Sequence, residues 1–133
     1  MLIGLDPRLT PDLLYTLARM GHGDEIAVVD RNYPSATSAA GCLVKDVIHY
    51  PGHDAATVVD LITQVMPLDS FHSYCALRME IDNAPDTVSD VHQAVWDVLT
   101  PRLPEGGVLS SIGRQEFYRH AAICFAVVQC SED

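Results

Sequence analysis

The sequence predicts an α/β domain with a central sheet covered by helices, and three observations carry that prediction. Apolar positions spaced for helices alternate along the chain with short apolar runs spaced for strands. Two of those runs, Ile26 to Val29 and Ile123 to Val128, are continuously apolar, the pattern of strands buried on both faces. The third observation is size: 133 residues with 48% apolar and 20% charged side chains suit one domain, residues 1–133, around one core.

The first element is a helix. Thr10-Pro11-Asp12 supplies a capping hydroxyl, a proline at the first helical position and an acid in the first turn. Leu13, Leu14, Leu17 and Ala18 then share one stripe, and Gly21 is expected to close the helix. Glu25 to Asp30 reads as the first strand, with Asp30 at its carboxyl end. Residues 31–53 contain Pro34, Gly41, Pro51 and Gly52, so they read mostly as loop with a short strand at Val44 to Ile48.

Asp54 is placed to cap a second helix whose face holds Val58, Val59, Leu61, Ile62, Val65 and Met66, ended by Pro67. Ser73 to Ile81 alternates: Cys75, Leu77, Met79 and Ile81 fall on one side, and Tyr74, Arg78 and Glu80 on the other, facing solvent or a partner. A third helix from Ser89 to Leu99 gives way to Pro101, Pro104 and Gly106-Gly107, then to a short strand at Val108 to Ile112. Gln115 to Ala122 reads as helix and Ile123 to Val128 as the last strand. Only Gln129 to Asp133 follow it, so the last strand is expected to present an uncovered sheet edge.

Eight basic against eighteen acidic side chains give a formal charge of −10, which repels phosphate backbones and anionic headgroups. Nucleic acid and membrane are therefore not expected partners. The N-terminus lacks the basic stretch and apolar run of a signal peptide, and no apolar run approaches the ~18 residues of a membrane span. A cytoplasmic location is the expectation. Cys42, Cys75, Cys124 and Cys130 form no C-x-x-C pair and are expected as reduced thiols, three of them within apolar stretches.

Among residues able to do chemistry, His22 stands out in Gly21-His22-Gly23-Asp24-Glu25, the short link between helix and buried strand. A histidine titrates near neutral pH, and acid-base assistance from one contributes roughly 10² to 10⁴ in rate. The competing reading makes Gly21 a helix cap, Gly23 a turn residue and His22 a solvated loop side chain. Gly21-x-Gly23 precedes its strand and lacks a third glycine, so it is no dinucleotide fingerprint.

Asp30 lies where open α/β sheets place ligand-binding side chains, and equally where a carboxylate caps a turn. Arg114 offers a planar fork of donors to a ligand's hydroxyls or a partner for surplus acid. Tyr118 presents the same choice between ligand contact and packing, with packing favoured. His49-x-x-x-His53 beside Asp46 and Asp54 has metal-ligand chemistry but sits in a loop-like segment, so no metal site is expected.

Leu9-Thr10-Pro11-Asp12-Leu13-Leu14, Leu17-Ala18-Arg19-Met20-Gly21-His22-Gly23-Asp24-Glu25-Ile26 and Asp30 with Asn32-Tyr33-Pro34 together resemble the family of ribose pyranases and fucose mutarotases. Leu68-Asp69-Ser70, Arg114-x-x-Phe117-Tyr118, Ala121 and Phe125-Ala126-Val127-Val128 extend the likeness, closer to the fucose branch, over about half of the chain. The resemblance implies cofactor-free interconversion of sugar anomers by a ring-shaped decamer. It implies His22 as proton donor, Asp30 and Arg114 as sugar contacts, and a terminal Tyr-Gly-Asn motif that this sequence, ending at Asp133, does not contain. The expectation is an aldose mutarotase acting on fucose or a related monosaccharide. The rival readings are a non-catalytic monosaccharide-binding or regulatory protein of the same fold, and a structural oligomer. An extended strand from Ile26 to Asp30 spans roughly 13 Å, so His22 and Asp30 flank one sugar only if the link folds back or a neighbouring subunit supplies the opposing wall.

Overall fold

In the computed structural model, which describes residues 1–133, helices and strands alternate as the sequence predicts, but the strands divide between two parallel sheets. The larger has the order β1-β5-β2, from β1 (Ile26–Val29), β2 (Ile48–His49) and β5 (Ala126–Gln129). β1 runs in register with β5, Ile26 opposite Ala126 through Val29 opposite Gln129. The smaller pairs β3 (Ala76–Met79) with β4 (Leu109–Ile112). The helices are α1 (Pro11–Arg19), α2 (Ser35–Ala39), α3 (Ala55–Val65), α4 (Asp90–Leu99) and α5 (Arg114–Ala121), with a 3₁₀ turn at Thr100–Arg102.

Three helices begin where a side chain accepts an otherwise orphaned backbone N–H. Thr10 accepts from Leu13, Asp54 from Thr57 and Ser89 from His92. The apolar stripes of α1 and α3 then find the larger sheet. Leu9, Leu13 and Leu17 join Val58, Leu61 and Ile62 against Ile48, Ala126 and Val128, while Val127 points the other way into Val29, Ala39, Cys42 and Cys124. A strand whose alternate side chains enter two cores must be apolar, which accounts for Ala126 to Val128; the expected strand from Ile123 begins three residues later, and Ile123 itself lies in the turn before it, 80% exposed.

Several expectations are corrected. β5 is the central strand, flanked by β1 and β2, so the sheet edges belong to those two strands and not to the last one. The expected strand at Val44 to Ile48 reduces to Ile48–His49, although the Val44 N–H still donates to the Phe125 carbonyl just ahead of β5. Ser35–Ala39, in the stretch read as loop, is a helical turn and a half. Gly21 does not close α1. That helix ends at Arg19 with Met20 extended and its N–H donating to the Leu17 carbonyl, and the left-handed residue is Gly23, at φ +82°. Arg78, placed by alternation on the solvent side of β3, is that strand's most buried residue, with Nη2 donating to the Pro85 carbonyl at 2.8 Å. All four cysteines are free thiols, and no helix is long and apolar enough to cross a membrane.

Candidate functional site

The loop after α1 is tied into a compact turn. The Asp24 carboxylate accepts the Gly21 N–H at 2.8 Å, and the Asp24 N–H donates to the Gly21 carbonyl at 3.1 Å. Gly23 has a left-handed φ of +82°, which favours glycine, and the exposed Phe71 ring lies over it where a Cβ would come within 2.8 Å. The turn thrusts His22 outward, its side chain 85% exposed, with Nδ1 3.3 Å from Asp69 Oδ2. Asp69 also accepts N–H bonds from Gly23 at 3.4 Å and from Phe71 at 3.2 Å. Burial alone would raise the Asp69 carboxyl, but the Phe71 N–H, the His22 ring and the Gly23 N–H outweigh it and hold it below the usual carboxylate range. An ionised carboxylate at Nδ1 favours the proton there and turns Nε2 toward solvent, the geometry of an acid-base histidine.

Asp30 follows β1 directly, and its Oδ1 accepts the Asn32 N–H at 2.9 Å, so it does cap the following turn. Arg114, the first residue of α5, is paired with Asp82. One turn later Tyr118 meets the Tyr33 ring edge-on, with centroids 5.1 Å apart. α5 runs antiparallel to β1. Phe117 and Tyr118 touch Tyr33 just past the carboxyl end of the strand, whereas His120 donates to Glu25 just before its amino end. The fold therefore gathers Asp30, Tyr118 and Arg114 toward the carboxyl end of β1 and leaves His22 at the amino end.

A cavity of about 540 Å³ lies between β1 and β3, roofed by α3 and α4. Asp30 lines it, while His22, Arg114 and Tyr118 lie outside its wall. At its rim the sequence reading missed a polar cluster centred on Glu25. The Tyr74 hydroxyl donates to both Glu25 oxygens at 2.9 and 3.0 Å, His120 Nε2 approaches Oε2 at 2.8 Å, and His72 Nε2 approaches Oε1 at 3.4 Å. Burial first, then the Glu25 hydrogen bond and charge, push the Tyr74 phenol up to about 12. Apart from the near neighbours His72 and Tyr74, its members lie 46 or more residues apart in sequence, so no local pattern announces the cluster. His53 bonds the Pro51 carbonyl through its ring, and no group of three His, Cys, Asp or Glu side chains is placed to hold a metal ion.

The profile of the RbsD / FucU transport protein family matches residues 3–133. The fucose mutarotase of Bos taurus is 35% identical over 134 residues, covering 99% of this chain and 86% of that protein. Among solved structures, the crystal structure of protein Atu2016 superposes with a TM-score of 0.90 at 33% identity, covering 99% of this chain and 87% of that one. The fucose mutarotase of Streptococcus pneumoniae, crystallised in complex with L-fucose, superposes with a TM-score of 0.83 at 28% identity, covering 98% and 89%. The fold, the profile match over nearly every residue and these identities agree: the chain belongs to the RbsD / FucU transport protein family.

Proposed function

We propose that the protein is a sugar mutarotase that interconverts the anomers of L-fucose or a closely related aldose, with His22 as its proton-transfer group. The observation that supports this most directly is the exposed His22 ring held through Nδ1 by the Asp69 carboxylate. The relatives named as fucose mutarotases, one of them crystallised with L-fucose, indicate the substrate class. In the reaction, the protonated His22 ring gives its Nε2 proton to the ring oxygen as the anomeric hydroxyl loses one to water, and the bond between C1 and the ring oxygen breaks to leave an open-chain aldehyde. Rotation about C1–C2 presents the other face of the carbonyl, and reclosure reverses both transfers. Asp30 and Arg114 orient hydroxyls, with Tyr118 beside them. The isomerisation has no net redox change, and these steps call on no cofactor.

His22 lies at the amino end of β1 and Asp30 at its carboxyl end, so we place the complete site between two copies of the chain, the His22 loop of one closing over the Asp30–Arg114 side of the next. Exposed apolar side chains suited to such contacts include Ile3, Leu43, Phe71 and Ile123, with Phe71 beside the His22 loop itself. A homodecamer in the cytoplasm is the assembly and location this reading takes. Saturation-transfer NMR on L-fucose, ribose and galactose tests the reaction: exchange between the anomers of L-fucose above the buffer rate is expected. Sugar binding without accelerated exchange in any of the three would favour a non-catalytic sugar-binding protein instead.

A further inference from the structure

Gly23 is the joint on which the His22 loop turns, and a glycine is the most conformationally free residue available for such a joint. In this fold both peptide planes that flank Gly23 are held from one segment, residues 69–74. Its N–H donates to Asp69 Oδ2 at 3.4 Å, and its carbonyl lies 3.0 Å from His72 Nε2. The first contact fixes the plane shared with His22, and the second fixes the plane shared with Asp24. Asp69 thus restrains one side of the joint and His72 the other.

His72, its side chain 36% exposed, is itself held by several contacts. Its ring stacks on Tyr74 with centroids 5.3 Å apart and an interplanar angle of 14°, and it meets Phe71 edge-on at 5.3 Å. Nε2 faces two acceptors, the Gly23 carbonyl and, at 3.4 Å, Glu25 Oε1, so Nε2 carries a proton in either charge state of the ring. Glu25 is anchored in turn by the Tyr74 hydroxyl and by His120. The groups around His72 are thus one carboxylate, one phenol and one further imidazole, and they form a frame on which the His72 donor is aimed at the loop.

We propose that His72 is a positioning residue for His22: it donates from Nε2 to the Gly23 carbonyl, and the Glu25–Tyr74–His120 cluster holds it in place to do so. The proposal rests on the reading of His22 as the proton-transfer group. A loop that delivers a general acid to a ring oxygen must be held to a fraction of an ångström, and misplacement of about 1 Å can cost up to ~10²-fold in rate. His72 does not touch sugar in this arrangement, so its loss acts on the catalysed step and leaves ground-state binding in place.

The test compares fucose anomer exchange in the full-length assembly for wild type, His72→Phe, His72→Gln and His72→Asn. His72→Phe keeps the ring on Tyr74 and removes the donor, and it is expected to lower kcat by about tenfold or more with KM changed less than about twofold. Glutamine can place its amide N–H near the Nε2 position and should recover most of the lost rate. Asparagine, whose shorter side chain cannot, should not. If His72→Phe does not fold, the Gln and Asn pair decides. A wild-type kcat in His72→Phe, a loss confined to KM, or Gln and Asn variants that behave alike would each overturn the proposal. Full activity in His22→Ala would instead overturn the reading of His22 on which it rests, whereas an inactive His22→Ala beside a fully active His72→Phe would overturn this inference alone.

Discussion

His92 and His22 show how differently one residue type is used in this chain. His22 is exposed and paired with Asp69, whereas His92, on the first turn of α4, has its Nδ1 buried with no hydrogen-bond partner. Burial, then the positive charge of Arg78, lower the His92 imidazole below its ordinary value. The folded protein therefore binds that proton less readily than the unfolded chain. Stability is present above the unfolded value near 6.5 and is lost as pH falls from there toward the depressed folded value. Urea titrations at pH 7 and pH 5 should show a smaller loss in His92→Leu than in wild type, and equal losses would contradict this account. The two histidines also mark what the sequence disclosed. His22 stands out in the sequence because glycines flank it, whereas Asp69, whose carboxylate the fold brings to its ring, lies 47 residues away and enters the sequence reading only within the family likeness, with no role assigned.

At the scale of elements, chain segments with their own local signal were legible and those defined by contact were not. Thr10, Asp54 and Ser89 each cap the helix expected after them, because a cap needs only its own next three residues. α2 has no apolar period and five residues, and it exists because Ser35, Ser38 and Ala39 are buried beside β5. Just beyond it, Gly41 passes so close to the turn after α5 that a Cβ would sit 2.3 Å from the Ala122 carbonyl oxygen. That oxygen is backbone and cannot rotate away. Gly41→Ala should therefore cost about 1–3 kcal/mol in denaturant unfolding, as overpacking does, and an unchanged midpoint would show that the two segments separate freely. The edge expected at β5 failed for the same reason: which strand lies centrally depends on where β1 and β2 pair, and neither pairing leaves a trace within residues 123–128.

Across the whole molecule, the polarity of β1 sets which end of the sheet each candidate residue occupies. A parallel strand places its first and last residues on opposite ends of the sheet, so His22 and the Asp30–Tyr118–Arg114 group are separated in one chain by the strand itself. Strand length alone predicts that separation, and α5 contacts residues beyond each end of β1, Tyr33 on one side and Glu25 on the other. Light scattering on the purified protein should give a mass that is a multiple of the 14.5 kDa chain, ten copies in the proposed assembly. A fully active monomer would contradict a site shared between copies. The central claim, that this surface turns over sugar anomers through His22, is tested most directly by saturation-transfer NMR on L-fucose with wild type and His22→Ala at one pH near neutrality. The account predicts anomer exchange well above the buffer rate in wild type and a loss of about 10² to 10⁴ in the variant. Equal exchange in the two proteins would contradict it.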